Sequence, residues 1–119
     1  MIAMLKAGSV AVNQGDLEQA EQFYQDALDM SGAEDVYVAL AQLRLVDVQM
    51  QRGNADAQSL IDQLNDWPVK KSVLSHQRNE RLGLLYMETA QYDHANDVWN
   101  KILEDPTTPA SLKERARAY

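Results

Sequence analysis

Side chains that take a proton, hold a metal or attract an opposite charge are sparsely patterned in this chain. Its two histidines are His76 and His94. His94 lies between Asp93 and Asp97, and an Asp-His pair three residues apart on one helix can touch a metal. A site needs further convergent ligands, and the neighbouring sequence offers none. His76 precedes Arg78 and Arg81 with no nucleophile in range, the serines lack a paired base, and no glycine-rich phosphate loop occurs. Glu18 and Glu21 read as helix-surface charge. No catalytic group, cofactor or metal is therefore expected, and the chain reads as non-enzymatic.

Composition narrows the partners. Cysteine is absent, which excludes disulfides and thiolate metal sites. A net charge of −7 argues against nucleic acid, whose phosphates need clustered Lys and Arg, and against anionic lipid surfaces. No stretch nears the roughly 18 unbroken apolar residues of a membrane helix, and Met1 to Leu5 is too short for a signal peptide. At 45% hydrophobic and 24% charged, the 119 residues suit one globular domain.

The elements follow from a repeat. Leu17, Ala20, Phe23, Tyr24, Ala27 and Leu28 are matched 75 positions later by Tyr92, Ala95, Val98, Trp99, Ile102 and Leu103. Steps of three and four make each set one stripe of an amphipathic helix. Ala57, Leu60, Ile61 and Leu64 follow Ala20, Phe23, Tyr24 and Ala27 at an offset of 37. Repetition at 37 to 38 residues signals stacked helix pairs, none able to bury its apolar face alone.

Turn chemistry agrees. Gly15 can end a helix in the left-handed region and Asp16 can cap the next, with Gln19 three residues on. Gly53-Asn54 and Ala90-Gln91 occupy the same place. Pro68 forces Trp67 out of helical geometry, and Thr108-Pro109 reads as an N-cap and first helical position. Helices are expected at about 1–14, 17–31, 35–52, 55–66, 70–89, 92–104 and 109–119. The expected fold is all-α, a right-handed α-solenoid of about three helix pairs (about 1–34, 35–68 and 70–106) with a C-terminal capping helix at 109–119. These form a single domain, read as a fragment of a longer protein.

The run Gly15-Asp16-Leu17-Glu18-Gln19-Ala20-Glu21-Gln22-Phe23-Tyr24-Gln25-Asp26-Ala27-Leu28 resembles the second half of a tetratricopeptide repeat. That family favours small residues where Gly8, Ala20 and Ala27 stand and large ones at Leu17 and Tyr24. Gly83, Tyr86, Tyr92, Ala95 and Trp99 fill the matching places of the third copy, while Ala90 replaces a usual glycine. More narrowly, Leu40-Ala41-Gln42-Leu43-Arg44-Leu45, Leu82-Gly83-Leu84-Leu85-Tyr86 and the segment from Asp105 to Ala116 are similar to the ancillary subunit of the bacterial Sec translocon. That resemblance implies a membrane helix before a periplasm-facing domain at the inner membrane, and a role in handing secreted proteins to periplasmic chaperones.

In stacked helix pairs the first helices line the concave face. Aligned by the offsets, they give one row of cations, Lys6, Arg44 and Arg81, and one apolar row, Val12, Met50 and Met87. Ser9, Asp47 and Leu84 lie between, with Asn13, Gln51 and Glu88 at the rim. Cations beside thioethers suit a permissive peptide groove that engages carbonyls or a carboxylate. The same cations also have ordinary surface partners, Asp47 for Arg44 and Glu88 or Asp47 for Arg81. In carboxylate-clamp relatives an asparagine stands where this chain has Ser9. The expected partner is a protein or peptide, with Lys6, Arg44, Arg81, Met50, Met87, Asn13 and Asp47 as contact residues. Two alternatives stay open, a self-assembling homo-oligomeric scaffold and a cytoplasmic co-chaperone or regulatory adaptor.

Overall fold

A computed structural model describes residues 1–30, 32, 35–53, 55–66 and 74–119. The described residues form helices α1 (Ile2–Asn13), α2 (Leu17–Asp29), α3 (Asp35–Arg52), α4 (Ala57–Asn65), α5 (Ser75–Glu88), α6 (Tyr92–Glu104) and α7 (Ala110–Ala118), with no strand among them. The all-α expectation holds, and apart from the start of α5 the helix limits agree with the periodicity to within a turn. Asn54, the Trp67-Pro68 stop and the expected start of a helix at residue 70 lie outside the described residues.

Left-handed residues set the turns. Gly15 has φ +78° and Ala90 φ +59°, at corresponding places of the two copies. Around them the hydrogen bonds are the same. Gly15 N–H donates to Val12 O and Asp16 N–H to Ala11 O; Ala90 N–H donates to Met87 O and Gln91 N–H to Tyr86 O. This is the paired arrangement that closes a helix by satisfying its last carbonyls. Asp16 then starts α2 by accepting the Gln19 N–H at 3.1 Å, as the sequence indicated.

The last helix begins differently from expectation. Pro109, at φ −58° and ψ 145°, is extended and stands before α7 rather than inside it. Thr108 does not cap. Its side chain is buried, and its hydroxyl has no hydrogen-bond partner among the described residues. Asp105 takes over the turn, accepting both the N–H and the hydroxyl of Thr107, at 2.8 and 2.7 Å. These bonds hold the Asp105 carboxyl below its ordinary range.

Contacts divide the chain into two compact units, one holding α1 to α3 and the other α4 to α7. In the first, α1 packs on α2 and α2 on α3. Ala11, Ala20, Tyr24, Leu45 and Val48 are buried, with Leu5, Val12, Leu17, Phe23 and Leu28 around them. In the second, α5 packs on α4 and α6, and α7 on α6. There Ala95, Trp99, Ile102, Leu112 and Ala116 form one buried cluster, and Leu60, Ile61, Leu64, Leu82 and Leu85 are buried as well. The 75-residue offset extends to the final helix, since α3 starts at Asp35 and α7 at Ala110. The helix expected only to cap the stack is thus register-equivalent to the first turns of α3.

Each unit closes on a glycine. A Cβ at Gly8 would stand 2.6 Å from the Tyr24 ring, and one at Gly83 2.5 Å from the Trp99 ring. Both distances are far inside van der Waals contact, so the Tyr24 ring lies directly against the backbone of α1 and the Trp99 ring against that of α5.

Candidate peptide-binding groove

In the first unit the faces of α1 and α3 leave an open groove of about 370 Å3. Leu5, Lys6 and Ser9 of α1 form one wall, Leu40 and Arg44 of α3 the other, and Tyr24 of α2 the floor. Ile2 and Tyr37 flank its outer end. A second hollow of about 290 Å3 shares Ser9, Tyr24 and Arg44 and runs on past Val12 and Asp47. The two form one furrow along α1 from Ile2 to Val12, about 15 Å at the helical rise. That length accepts about four or five extended residues.

The wall is mostly apolar, yet the charged residues of the larger hollow are both cations, Lys6 and Arg44. Lys6 is exposed and makes no ion pair among the described residues. Arg44 Nη1 lies 3.6 Å from Asp47 Oδ2, the surface pairing weighed from the sequence, and half of the Arg44 side chain is open to solvent. A pair that long and that exposed contributes little and leaves the guanidinium free to engage a second anion. Burial pushes the Tyr24 hydroxyl above its ordinary range, while Arg44 pulls it down and Asp47 pushes it up. The ring therefore stays neutral under a cationic rim.

The sequence-derived residues separate on this geometry. Lys6, Arg44 and Asp47 come together along the furrow. Asn13 is exposed at the end of α1 and Met50 is half-buried, and neither lines the two hollows. Arg81 belongs to the second unit, where its Nη1 donates to Gln77 O at 3.2 Å. Met87 packs against the core of that unit. Tyr37, Leu40 and the floor residue Tyr24 were not singled out as contacts from the sequence. The 75-residue alignment carried the signal for Tyr24, because it pairs that ring with Trp99.

The register-equivalent place in the second unit is occupied. Glu80 of α5 corresponds to Leu5, Arg115 of α7 to Leu40, and Tyr119 to Arg44. Arg115 donates to the Glu80 carboxylate through Nε at 2.8 Å and Nη2 at 3.2 Å, and the Tyr119 hydroxyl donates to it at 3.1 Å. The Tyr119 ring lies over Trp99 with centroids 4.6 Å apart. Burial alone would raise the Glu80 carboxyl, but the bonds from Arg115 and Tyr119, with the Arg115 and Arg81 charges, hold it below its ordinary value.

The histidines have local structural partners. The His94 ring lies 5.2 Å from that of Tyr86, and a His76 ring nitrogen is 3.1 Å from the Thr107 hydroxyl. Among the described residues no group of three or more metal-ligating side chains gathers, and no helix is long and apolar enough to cross a membrane.

Paired helices closed by a small residue against an aromatic, repeated at a constant offset, define a class of interaction scaffold. The chain belongs to the tetratricopeptide repeat-like domain family, which matches residues 1–113. No curated protein and no solved structure matches the chain.

Proposed function

We propose that the chain is a non-enzymatic protein-interaction module whose binding surface is the α1–α3 furrow. The observation that carries this reading is the open apolar groove over Tyr24 with Lys6 and Arg44 at its edges. Family membership supports it, since tetratricopeptide-like domains generally bind other proteins. The resemblance of the Leu40–Leu45 and Leu82–Tyr86 segments to the translocon ancillary subunit supports a finer reading. On that reading the module is the periplasm-facing part of a membrane-anchored adaptor between the secretion machinery and periplasmic chaperones.

The test is a crosslinking pull-down from a bacterial envelope extract, with wild type beside a Lys6→Glu/Arg44→Glu variant shown by circular dichroism to be folded. Capture of translocon or chaperone subunits by wild type alone supports both levels of the reading. Equal capture by both proteins moves the binding surface away from the furrow. A self-assembling scaffold is the alternative favoured by α1, where Ile2 and Val10 are 50% and 53% exposed. Sedimentation equilibrium over a concentration series decides it, because an adaptor of this kind stays monomeric.

A further inference from the structure

We propose that the α1–α3 furrow takes an extended peptide segment of a partner protein that carries a carboxylate next to a bulky apolar side chain, and that the second unit holds a self-filled copy of the same site. The inference rests on the furrow being the binding surface and adds the chemistry of what enters it. Two independent observations support it.

The first is charge. The chain carries −7 overall, and α2 alone bears Glu18, Glu21, Asp26 and Asp29. Against that background α1 has a single charged residue, Lys6, and Lys6 and Arg44 are the charged residues of the larger hollow. Two cations beside Leu5 and Leu40 complement an anion set next to an apolar group. The hollow of about 370 Å3 is large enough for a leucine- or phenylalanine-sized side chain over Tyr24.

The second is the comparison of the two units at the 75-residue register. Where the first unit presents Leu5, Leu40 and Arg44, the second presents Glu80, Arg115 and Tyr119. There a carboxylate sits in a fork of donors and an aromatic ring covers the Trp99 face. The second unit thus supplies internally what the first one leaves open: a carboxylate bonded twice to an arginine, where Arg44 has only the long, exposed pair with Asp47, and a ring over the aromatic floor. This also accounts for Arg81, the counterpart of Lys6, whose charge acts on Glu80.

Fluorescence anisotropy with three labelled peptides tests the proposal. They share a central Leu-Phe pair and are flanked by glutamate, glutamine or lysine. Wild type is expected to bind the glutamate peptide tightest and the lysine peptide weakest, with a spread of roughly tenfold or more. Lys6→Glu/Arg44→Glu, at two exposed positions, should reverse the order. A Leu5→Glu/Leu40→Arg/Arg44→Tyr variant imports the latch of the second unit and should lose all three peptides while remaining folded. If it does not fold, the charge-reversed protein decides the matter alone. Amide chemical-shift mapping locates the site. Shifts at Leu5, Tyr24 and Leu40 without a preference for glutamate overturn the inference and leave the furrow as the binding surface. Binding that produces no shift there, or no binding of any peptide, overturns both.

Discussion

Single atoms decide how each unit closes. Replacing Gly8 or Gly83 with alanine gains about 1 kcal/mol of helix propensity, but the added methyl meets a ring at 2.6 or 2.5 Å. Overpacking of that kind costs about 1–3 kcal/mol, so both variants should be destabilised in urea titrations. The two should differ. Trp99 is held under Tyr119, whereas Tyr24 can shift into the open furrow. Gly83→Ala is therefore expected to cost more, and Gly8→Ala to narrow the groove and weaken peptide binding. Backbone strain gives a second pair. Ala90 sits at φ +59°, a conformation that costs an L-residue about 1–2 kcal/mol. Ala90→Gly should stabilise by about 0.5–1 kcal/mol after the added freedom of the unfolded chain is subtracted. Gly15→Ala should do the reverse, since a Cβ there meets nothing within 4 Å and only the backbone objects.

Helix α7 is tied to α5 by side-chain chemistry as well as packed on α6. Its tie to α5 runs through the Glu80 carboxylate, held ionised by Arg115 and Tyr119. The folded Glu80 carboxyl titrates below its ordinary value of 4.5. The stability this supplies is complete above that value and disappears as pH falls through the folded pKa. Urea melts followed through the tryptophan signal should be flat from neutrality to about pH 5 and then decline. Glu80→Gln should shrink that decline and lower stability at neutral pH, with Asp105 accounting for part of the acid loss that remains. An unchanged acid limb would show that the latch carries no stability. The start of α7 and this latch were both hidden in the sequence, for different reasons. Thr108-Pro109 has the composition of a cap, but the Asx turn at Asp105 sends Thr108 inward and leaves Pro109 extended. Glu80 lies 35 and 39 positions from its partners, and such pairs leave no periodic trace. The helix pairs were legible because their signals are local: left-handed turns at Gly15 and Ala90, and stripes at steps of three and four.

For the whole chain, the constant offset that revealed the repeats also implied that equivalent positions act alike, which placed Lys6, Arg44 and Arg81 in one row. The two units share their packing but differ in what fills the face between register-equivalent helices, and that difference depends on Glu80 of α5, Arg115 of α7 and Tyr119 just after it. Ligand binding should therefore be unequal along the chain. A segment that occupies the α1–α3 furrow stabilises the states in which the furrow is intact, by about 2.7 kcal/mol at a hundredfold excess over Kd. Hydrogen exchange with and without the glutamate-flanked peptide reads this directly. Amides of α1 and α3 that exchange through local opening should slow, because opening them dismantles the site. Those of α5 to α7 should keep their rates, as their own latch already occupies the equivalent place. Slowing confined to α5 to α7 would put the ligand in the second unit and contradict the assignment. Equal slowing everywhere would mean that the amides of both units exchange through one shared opening, and protection would then follow the stability of the whole chain rather than the place of the groove.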